Sequence, residues 1–362
     1  MLCPYAPDTR YNRISVLRPL PFARESGMII RCRTRFVVEG DVRALITGIT
    51  GFAGSFLTEH LLTHENIEIF GLGLPNTGPG HIAHLLDRVH LSTGSLDNGH
   101  WVRQVIAETH PDCVFHLAAQ AAPSLSIADP TATIITNVIG QVNLFQACLA
   151  EHMNPTILVI GSGDEYGLVQ PEDLPIIEST SFRPTNPYAV SKIAQDMLGL
   201  QYFLAHGLRC VRVRPFNHIG PRQSDVFVVS SFARQVAEAE AGLQPPLISV
   251  GNLESARDFT DVRDMVRAYW LAITMGVPGE VYNIGSGIAY GIRDILNQLV
   301  SMSRIPLQVH VDPAKLRATD VPEVRCDCAR FARLTGWLPA IPMEKTLVDI
   351  LDYWRARVTA KP

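Results

Sequence analysis

The sequence VRALITGITGFAG occupies residues 42–54 and is the stretch that indicates the fold. It begins with a largely apolar run of the length of a buried strand, and an apolar helical stretch, 56–62, follows it. Gly48, Gly51 and Gly54 allow a tight turn, close approach of the backbone to a pyrophosphate, and close packing of helix on strand. Because three glycines also occur in ordinary turns, the flanking strand and helix are needed for this interpretation.

Further apolar segments have the length and composition of strands, and helical stretches separate the first of them: 67–70, 113–117, 156–160, 210–214 and 281–284. Strands that alternate with helices predict βαβ units and a parallel sheet. After about residue 220, Pro and Gly become more frequent between helical stretches such as 227–241 and 293–302. This change predicts a smaller second domain over the carboxyl ends of the strands, where open α/β sheets bind ligands.

We therefore expect an α/β fold with a doubly wound parallel sheet and a smaller mixed α/β C-terminal substrate domain. The predicted dinucleotide-binding domain is 41–225. Residues 226–355 are expected to be mainly the substrate-binding domain, with a strand near 281–284 that returns to the sheet region. Residues 1–40 are expected to be a disordered extension, with Met28 as an alternative start.

Composition and charge exclude several classes of protein. Of the 362 residues, 47% are hydrophobic and 18% charged, which excludes a disordered, collagen-like or coiled-coil chain. The net charge is −4, and residues 1–40 alone carry seven arginines against three acidic residues. The rest of the chain is therefore acidic, so no nucleic acid is expected as a partner. An anionic ligand must be held by individual arginines and backbone N–H groups.

The seven cysteines are scattered, odd in number, and not arranged at zinc-ligand spacing. This favours reduced thiols, a cytoplasmic protein and no metal site. No run reaches the roughly 18 apolar residues of a membrane span, so no membrane partner is expected.

Tyr188 and Lys192 are four residues apart, on one face of a predicted helix that Pro187 begins. A nearby ammonium is expected to lower the pKa of the Tyr188 phenol, which would make it a usable proton donor and acceptor near neutrality. Ser162 follows the preceding predicted strand. The second strand ends in the stretch 70–75, FGLGLP, with neither an acid for an NAD ribose nor an arginine for an NADP phosphate, so the sequence leaves NAD(P)H undecided between the two forms.

Together the glycine loop, the stretch 116–119, HLAA, the Ser162 segment and Tyr188-x-x-x-Lys192 resemble an extended short-chain dehydrogenase/reductase with a Rossmann sheet, of the sugar-nucleotide epimerase and dehydratase group. Within that family, three further segments are similar to the GDP-4-keto-6-deoxy-D-mannose reductases: 216–224, 251–264 and 316–322. The resemblance implies NAD(P)H-dependent reduction of the C-4 ketone of a GDP-sugar to GDP-D-rhamnose. It also implies a homodimer packed through the helices that start near Asn137 and Tyr188.

The resemblance implies site residues as well. The implied catalytic residues are Ser162, Tyr188 and Lys192, with Asp164 as a further acid. The implied cofactor-binding residues include Tyr188 and Lys192 and, in addition, Gly48, Gly51, Phe52, Gly54, Ser95, Leu96, Leu117, Ala118 and Ala119. The implied substrate-binding residues are Asn217, Arg222, Arg257, Arg317 and Asp320, although the last segment departs from the family's usual Arg-Pro-x-Glu at 317–320.

Three rival functions remain open. The related 4,6-dehydratases carry Glu at the position of Asp164, so a GDP-mannose 4,6-dehydratase is the first alternative, followed by another nucleotide-sugar epimerase or dehydratase. A cofactor-binding regulatory protein is the third, and the presence of Ser162, Tyr188 and Lys192 counts against it. His116 and His218 lie in strand-end segments without a metal-like cluster, and we expect structural roles for both.

Overall fold

The computed structural model describes residues 41–316 and 321–359. The extension predicted at 1–40 and the predicted substrate contacts Arg317 and Asp320 lie outside these residues. Within them the strands are β1 Val42–Thr47, β2 Ile67–Gly73, β3 His90–Thr93, β4 Cys113–His116, β5 Thr156–Ile160, β6 Cys210–Pro215, β7 Asn217–Ile219, β8 Leu247–Val250, β9 Ala256–Asp261, β10 Val281–Ile284, β11 Ala289–Gly291, β12 Gln308–Val311 and β13 Glu323–Val324.

The α-helices of the described residues are α1 Phe52–Leu61, α2 Gly99–Thr109, α3 Pro123–Ala128, α4 Pro130–Ile134, α5 Gly140–Ala150, α6 Pro187–His206, α7 Val228–Glu240, α8 Val262–Met275, α9 Ile292–Ser301, α10 Ala329–Thr335 and α11 Met343–Thr359. A π-helical turn, Ile135–Ile139, joins α4 to α5. Short 3-10 turns are Gly80–Leu85, Gly163–Tyr166, Pro171–Asp173 and Pro313–Lys315.

Seven strands form the central sheet in the order β10-β6-β5-β4-β1-β2-β3, and all its pairings are parallel. The order reverses between β1 and β4, which is the switch point where ligands of doubly wound sheets bind. The predicted parallel sheet is confirmed. The sequence interpretation missed β3, because His90-Leu91-Ser92-Thr93 is a mostly polar strand at the exposed edge and lacks the apolar run of a central strand.

Two hydrophobic clusters cover the faces of this sheet, one beneath α1 and α8 and the other beneath α2, α5 and α6. A separate cluster packs between α7, α9 and α11, with Phe232, Leu296 and Leu351 almost wholly buried. Beside it, β9 pairs with β7, β11 and β13. These elements lie after residue 216, and α7, α9, β7 and β9 contribute residues to the second wall of the cavity described below.

In the described part of the chain, the helical stretch Pro130–Ala150 is long and apolar enough to cross a membrane by length and composition alone. Of its most apolar window, 44% is buried inside the protein. The core helix of a soluble protein meets the same criterion, so this stretch is weak evidence for a membrane span.

Candidate active site

A cavity of about 870 Å³ opens along the carboxyl ends of β1, β4 and β5. The structure brings most of the predicted site residues to its wall: Gly48, Gly51, Phe52, Gly54, Ser95, Leu96, Leu117, Ala118, Ala119, Ser162, Asp164, Tyr188, Lys192, Asn217 and Arg257. Residues that are far apart in the chain therefore meet around one space.

The glycine loop forms one end of the cavity. Gly48 has a φ of +72°, and a Cβ atom there would lie 2.9 Å from the backbone of Ala118. Gly54 is equally restricted, since a Cβ atom would lie 2.8 Å from the Cα of Ile49. The first turn of α1 has neither a capping side chain nor an acidic residue. Its backbone N–H groups and the helix dipole are thus available to an anion such as a pyrophosphate.

Ser162 is placed by the turn that follows β5. It is the N-cap of the 3-10 turn Gly163–Tyr166, and its hydroxyl accepts a hydrogen bond from the N–H of Asp164 at 3.1 Å. Its own N–H donates to Oε1 of Glu165 at 2.8 Å. These reciprocal bonds are those of a capping box, and they fix the backbone on both sides of the hydroxyl.

Helix α6 carries Tyr188 and Lys192 on the face that lines the cavity. The side chain of Asn186 caps the helix by accepting from the N–H of Ala189 at 2.9 Å. Lys192 is 4% exposed, and its Nζ donates to the carbonyl of Ile160 at 3.0 Å. The same Nζ lies 5.9 Å from the ring centre of Tyr188. The helical spacing thus brings both side chains to one site, as the sequence predicts.

The predicted pKa of Tyr188 is wrong in direction. Burial and the nearby carboxylate of Asp164 raise the pKa of this phenol above its usual value, and an interaction with Ser162 opposes them only in part. Burial also lowers the pKa of Lys192 to about 8, against the raising effect of Glu165. Two donors of the Lys192 ammonium are taken by the carbonyl of Ile160 and the amide oxygen of Gln195. Tyr188 is therefore held as a neutral phenol, which is a proton donor.

A buried polar chain extends from Lys192 to the loop after β4. Lys192 donates to Oε1 of Gln195 at 2.9 Å, and Nε2 of Gln195 lies 3.4 Å from Nε2 of His116. The Nδ1 of His116 is 2.9 Å from the hydroxyl of Thr47, which accepts from the N–H of Ala118 at 3.0 Å. Both ring nitrogens of His116 thus lie within this buried chain. The sequence analysis missed Gln195, which faces Lys192 one turn away.

The opposite wall comes from residues after β6. Asn217 and Arg257, two of the predicted substrate contacts, line it, and Arg257 also donates to the carbonyl of Val321 at 2.7 Å. Lys315 lines it as well, with its Nζ 2.9 Å from the carbonyl of Ser249. Sequence reasoning missed Lys315, although it is one of few lysines in an arginine-rich chain and directly precedes the segment 316–322. This wall offers cations to an anionic ligand.

The structure does not bring Arg222 to the cavity wall. Its guanidinium donates to Oγ of Ser55 at 3.1 Å and pairs with Glu59 at 2.7 Å. It also lies 4.5 Å from the ring centre of Phe56. These contacts fasten the loop after β7 to helix α1, whose N-terminus faces the cavity.

The cavity fits a dinucleotide at the glycine loop, because the uncapped first turn of α1 opens there, with Gly51 and Phe52 lining the wall. At the end of β2, Gly73 and Leu74 line the wall and supply neither an acid nor an arginine. Among residues 41–316 and 321–359, no cluster of three or more His, Cys, Asp or Glu side chains could hold a metal ion.

The chain is similar to proteins of known name. The family model described as GDP-mannose 4,6 dehydratase matches residues 45–350. GDP-6-deoxy-D-mannose reductase of Pseudomonas aeruginosa is 38% identical over 317 residues, which cover 87% of this chain and 98% of that protein. GDP-mannose 4,6 dehydratase 1 of Arabidopsis thaliana is 30% identical over 329 residues, which cover 85% of this chain and 88% of that protein.

Among solved structures, RMD from Pseudomonas aeruginosa complexed with NADPH matches with a TM-score of 0.77 and 36% identity. The match covers 87% of this chain and 99% of that chain. Sequence and structure therefore lead to the same group, and the chain belongs to the GDP-mannose 4,6 dehydratase family of extended short-chain dehydrogenases/reductases.

Proposed function

We propose that this protein is a nucleotide-sugar oxidoreductase that reduces the C-4 ketone of GDP-4-keto-6-deoxy-D-mannose, with GDP-D-rhamnose as the product. The observation that carries the proposal is the meeting of Ser162, Tyr188 and Lys192 in a cavity whose far end is the glycine loop. The similarity to GDP-6-deoxy-D-mannose reductase and to RMD complexed with NADPH supports the substrate class and the cofactor.

The cofactor is NADPH or NADH, which supplies a hydride when bound. We propose that the glycine loop, Ser95, Leu96 and the stretch 117–119 hold it, since all of them line one side of the cavity. The end of β2 places there neither a carboxylate for the ribose hydroxyl of NADH nor an arginine for the 2′-phosphate of NADPH. This strand end therefore favours neither form of the cofactor.

The side chains of the site divide the proton chemistry. Ser162 donates a hydrogen bond to the C-4 oxygen of the sugar, and Tyr188 gives its proton to that oxygen as negative charge develops on it. The raised pKa of Tyr188 supports this direction, because the phenol is protonated at neutral pH before the reaction starts. Lys192, on the same helix, would hold the ribose of the cofactor.

Substrate contacts are proposed for Asn217 and Arg257 on the opposite wall, with Lys315 added to them. A guanidinium donates two parallel charge-assisted hydrogen bonds, which suits a diphosphate.

We also propose how the two domains divide the ligands. Residues 41–225 bind the dinucleotide, and residues 226–355 mainly bind the sugar nucleotide.

The direct test supplies the purified protein with the 4-keto sugar nucleotide and either NADH or NADPH, and follows the absorbance of the reduced nicotinamide. Consumption of one cofactor supports the proposal and shows the preference. Tyr188→Phe is expected to lower kcat by about 100-fold or more, because it removes the proton donor and keeps the ring. Turnover that is unchanged in Tyr188→Phe would contradict the mechanism.

A GDP-mannose 4,6-dehydratase is the second candidate, because the carboxylate of Asp164 lines the cavity and acts on Tyr188. In that reaction the nicotinamide is recycled. Protein that converts GDP-mannose to the 4-keto sugar without net consumption of the cofactor would favour this candidate. Asp164 is one methylene shorter than the glutamate of the dehydratases, and a misplacement of ~1 Å can cost on the order of 100-fold in rate.

We also propose a cytoplasmic homodimer, with no nucleic acid or membrane as a partner. Apolar side chains are exposed along the helices expected to form the dimer, with Ile139 at 43%, Val190 at 48% and Leu204 at 72% exposure. Covering such a surface with a second copy removes apolar area from water. Light scattering that shows a monomer would contradict the dimer.

A further inference from the structure

Glu165 is a fully buried carboxylate directly beside the catalytic residues, and the mechanism above gives it no role. Its Oε1 accepts the N–H of Ser162 at 2.8 Å, and its Oε2 lies 3.1 Å from Nε of Arg214. Oε1 therefore accepts a hydrogen bond, whereas Oε2 faces the charge of Arg214 without receiving one, because Nε of that arginine donates to Asp196 instead. A carboxyl group can present an acceptor oxygen to both neighbours, whereas the amide of a glutamine would turn its NH2 group toward either the N–H of Ser162 or Arg214.

The partner of Glu165 leads to the catalytic helix. Arg214, on β6, donates from Nε to Oδ2 of Asp196 at 2.9 Å and from Nη2 to the same oxygen at 2.5 Å. Asp196 lies four residues after Lys192 on α6 and also accepts from Arg212 at 2.8 Å. The cluster of Glu165, Arg214 and Asp196 thus joins the turn that carries Ser162 to the helix that carries Tyr188 and Lys192.

Stability alone is a weak reason for such a cluster. Buried ion pairs cost desolvation, and well-packed apolar side chains often replace them without loss of stability. A buried carboxylate does provide a directional contact, because the N–H of Ser162 must lie where an oxygen of Glu165 accepts it. Burial and Asp196 raise the pKa of Glu165 to about 8, and Arg214 and the N–H of Ser162 offset only part of that rise.

From these contacts we infer that Glu165 is a positioning residue, which fixes Ser162 against the Tyr188–Lys192 helix through Arg214 and Asp196. The inference rests on the proposed function for its kinetic consequence, because Ser162 must meet the oxygen that Tyr188 protonates. Its structural consequence, an ordered Ser162 segment, does not depend on the substrate.

Glu240 provides a matched control. Its side chain is 6% exposed, its carboxylate pairs with Arg355 at 2.7 Å, and it accepts the backbone N–H of Arg304 at 2.9 Å. It thus has the same two kinds of neighbour as Glu165, an arginine and a backbone N–H, and it does not line the cavity. Glu240→Gln makes the same substitution where no catalytic side chain depends on it.

The test compares Glu165→Gln with Glu240→Gln by kcat, KM and melting temperature, and by hydrogen exchange of the peptide that contains 161–167 in the cofactor-free protein. Glu165→Gln is expected to lower kcat by about tenfold or more, with both KM values within about threefold, and to speed exchange of that peptide. Glu240→Gln is expected to keep kcat within about twofold and to leave that peptide unchanged.

A second variant, Glu165→Leu, removes the acceptor of the Ser162 N–H and leaves Arg214 paired with Asp196. It is expected to lower kcat and to speed exchange at 161–167, as Glu165→Gln does, whereas a purely structural role for Glu165 predicts a lower melting temperature with kcat unchanged. Equal kcat in the two glutamine variants, or unchanged exchange at 161–167 in Glu165→Gln, would overturn the inference. Wild-type protein that fails to reduce the ketone would refute the proposed function instead, and hydrogen exchange would still decide the role of Glu165.

Discussion

The buried ring of His116 is expected to make the free energy of unfolding fall at acid pH. The ring is 2% exposed at the end of β4, between the hydroxyl of Thr47 and the amide of Gln195. Since Oε1 of Gln195 accepts from Lys192, its Nε2 faces the ring and can only donate. Nε2 of His116 must therefore accept, which assigns the proton of the neutral ring to Nδ1. A second proton would place two donors against each other.

The size of the stability loss follows from the pKa of His116. Burial, and to a smaller extent the charge of Lys192, lowers this pKa from 6.5 to about 3. Because the unfolded chain takes up this proton and the folded chain does not, the contribution to stability is fully present above 6.5 and is lost as the pH falls toward 3. At about 1.4 kcal/mol per pH unit, lowering the pH from 6.5 to about 5 costs about 2 kcal/mol of the free energy of unfolding.

Urea unfolding at about pH 7.5 and about pH 5 measures this effect. Between the two pH values, the free energy of unfolding of His116→Gln is expected to fall by about 2 kcal/mol less than that of wild type, even if the variant is less stable at both. The control is His310→Gln, since His310 is exposed on β12, and it is expected to follow wild type. An equal loss in His116→Gln and wild type would refute the reasoning.

Three other substitutions test separate features. Gly54→Ala places a Cβ against the backbone of the glycine loop, so we expect a loss of about 1–3 kcal/mol in urea unfolding and weaker NADPH binding in a fluorescence titration. Asp164→Asn removes a charge that raises the pKa of Tyr188, so the alkaline limb of the pH profile of kcat should move to lower pH, and a shift to higher pH would contradict this. Arg222→Met breaks the ion pair with Glu59, so we expect a stability loss of about 1 kcal/mol with the sugar-nucleotide KM within about twofold; a large rise in KM would instead support substrate contact.

Local pattern was sufficient for much of the fold. The apolar runs of β1, β5 and β10 are buried on both faces of a parallel sheet, and such strands are recognisable from composition alone. The edge strand β3 is not recognisable in this way, because its sequence is polar and only its pairing with β2, a tertiary contact, makes it a strand. The sequence predicted α7 and α9 as helices, but not the cluster that they form with α11, because that packing is a tertiary contact.

The candidate site shows the same division. Tyr188 and Lys192 were predictable since a helix fixes their spacing, and Ser162 followed from the end of a strand. The capping-box pattern of Ser162 and Glu165 is also visible in the sequence, yet the contact of Glu165 with Arg214 depends on how β6 lies beside β5. The direction of the pKa shift of Tyr188 depends mainly on burial, which a sequence motif does not predict.

The separate hydrophobic clusters have an evolutionary consequence. Tyr188 and Lys192 lie on a helix packed against the central sheet, whereas Arg257 lies on β9, beside the cluster between α7, α9 and α11. Substitutions in the latter cluster can reshape the wall that meets the sugar nucleotide while the proton donor keeps its supports. Sugar specificity can therefore change through substitutions in the cluster between α7, α9 and α11, while the proton chemistry at Tyr188 is retained.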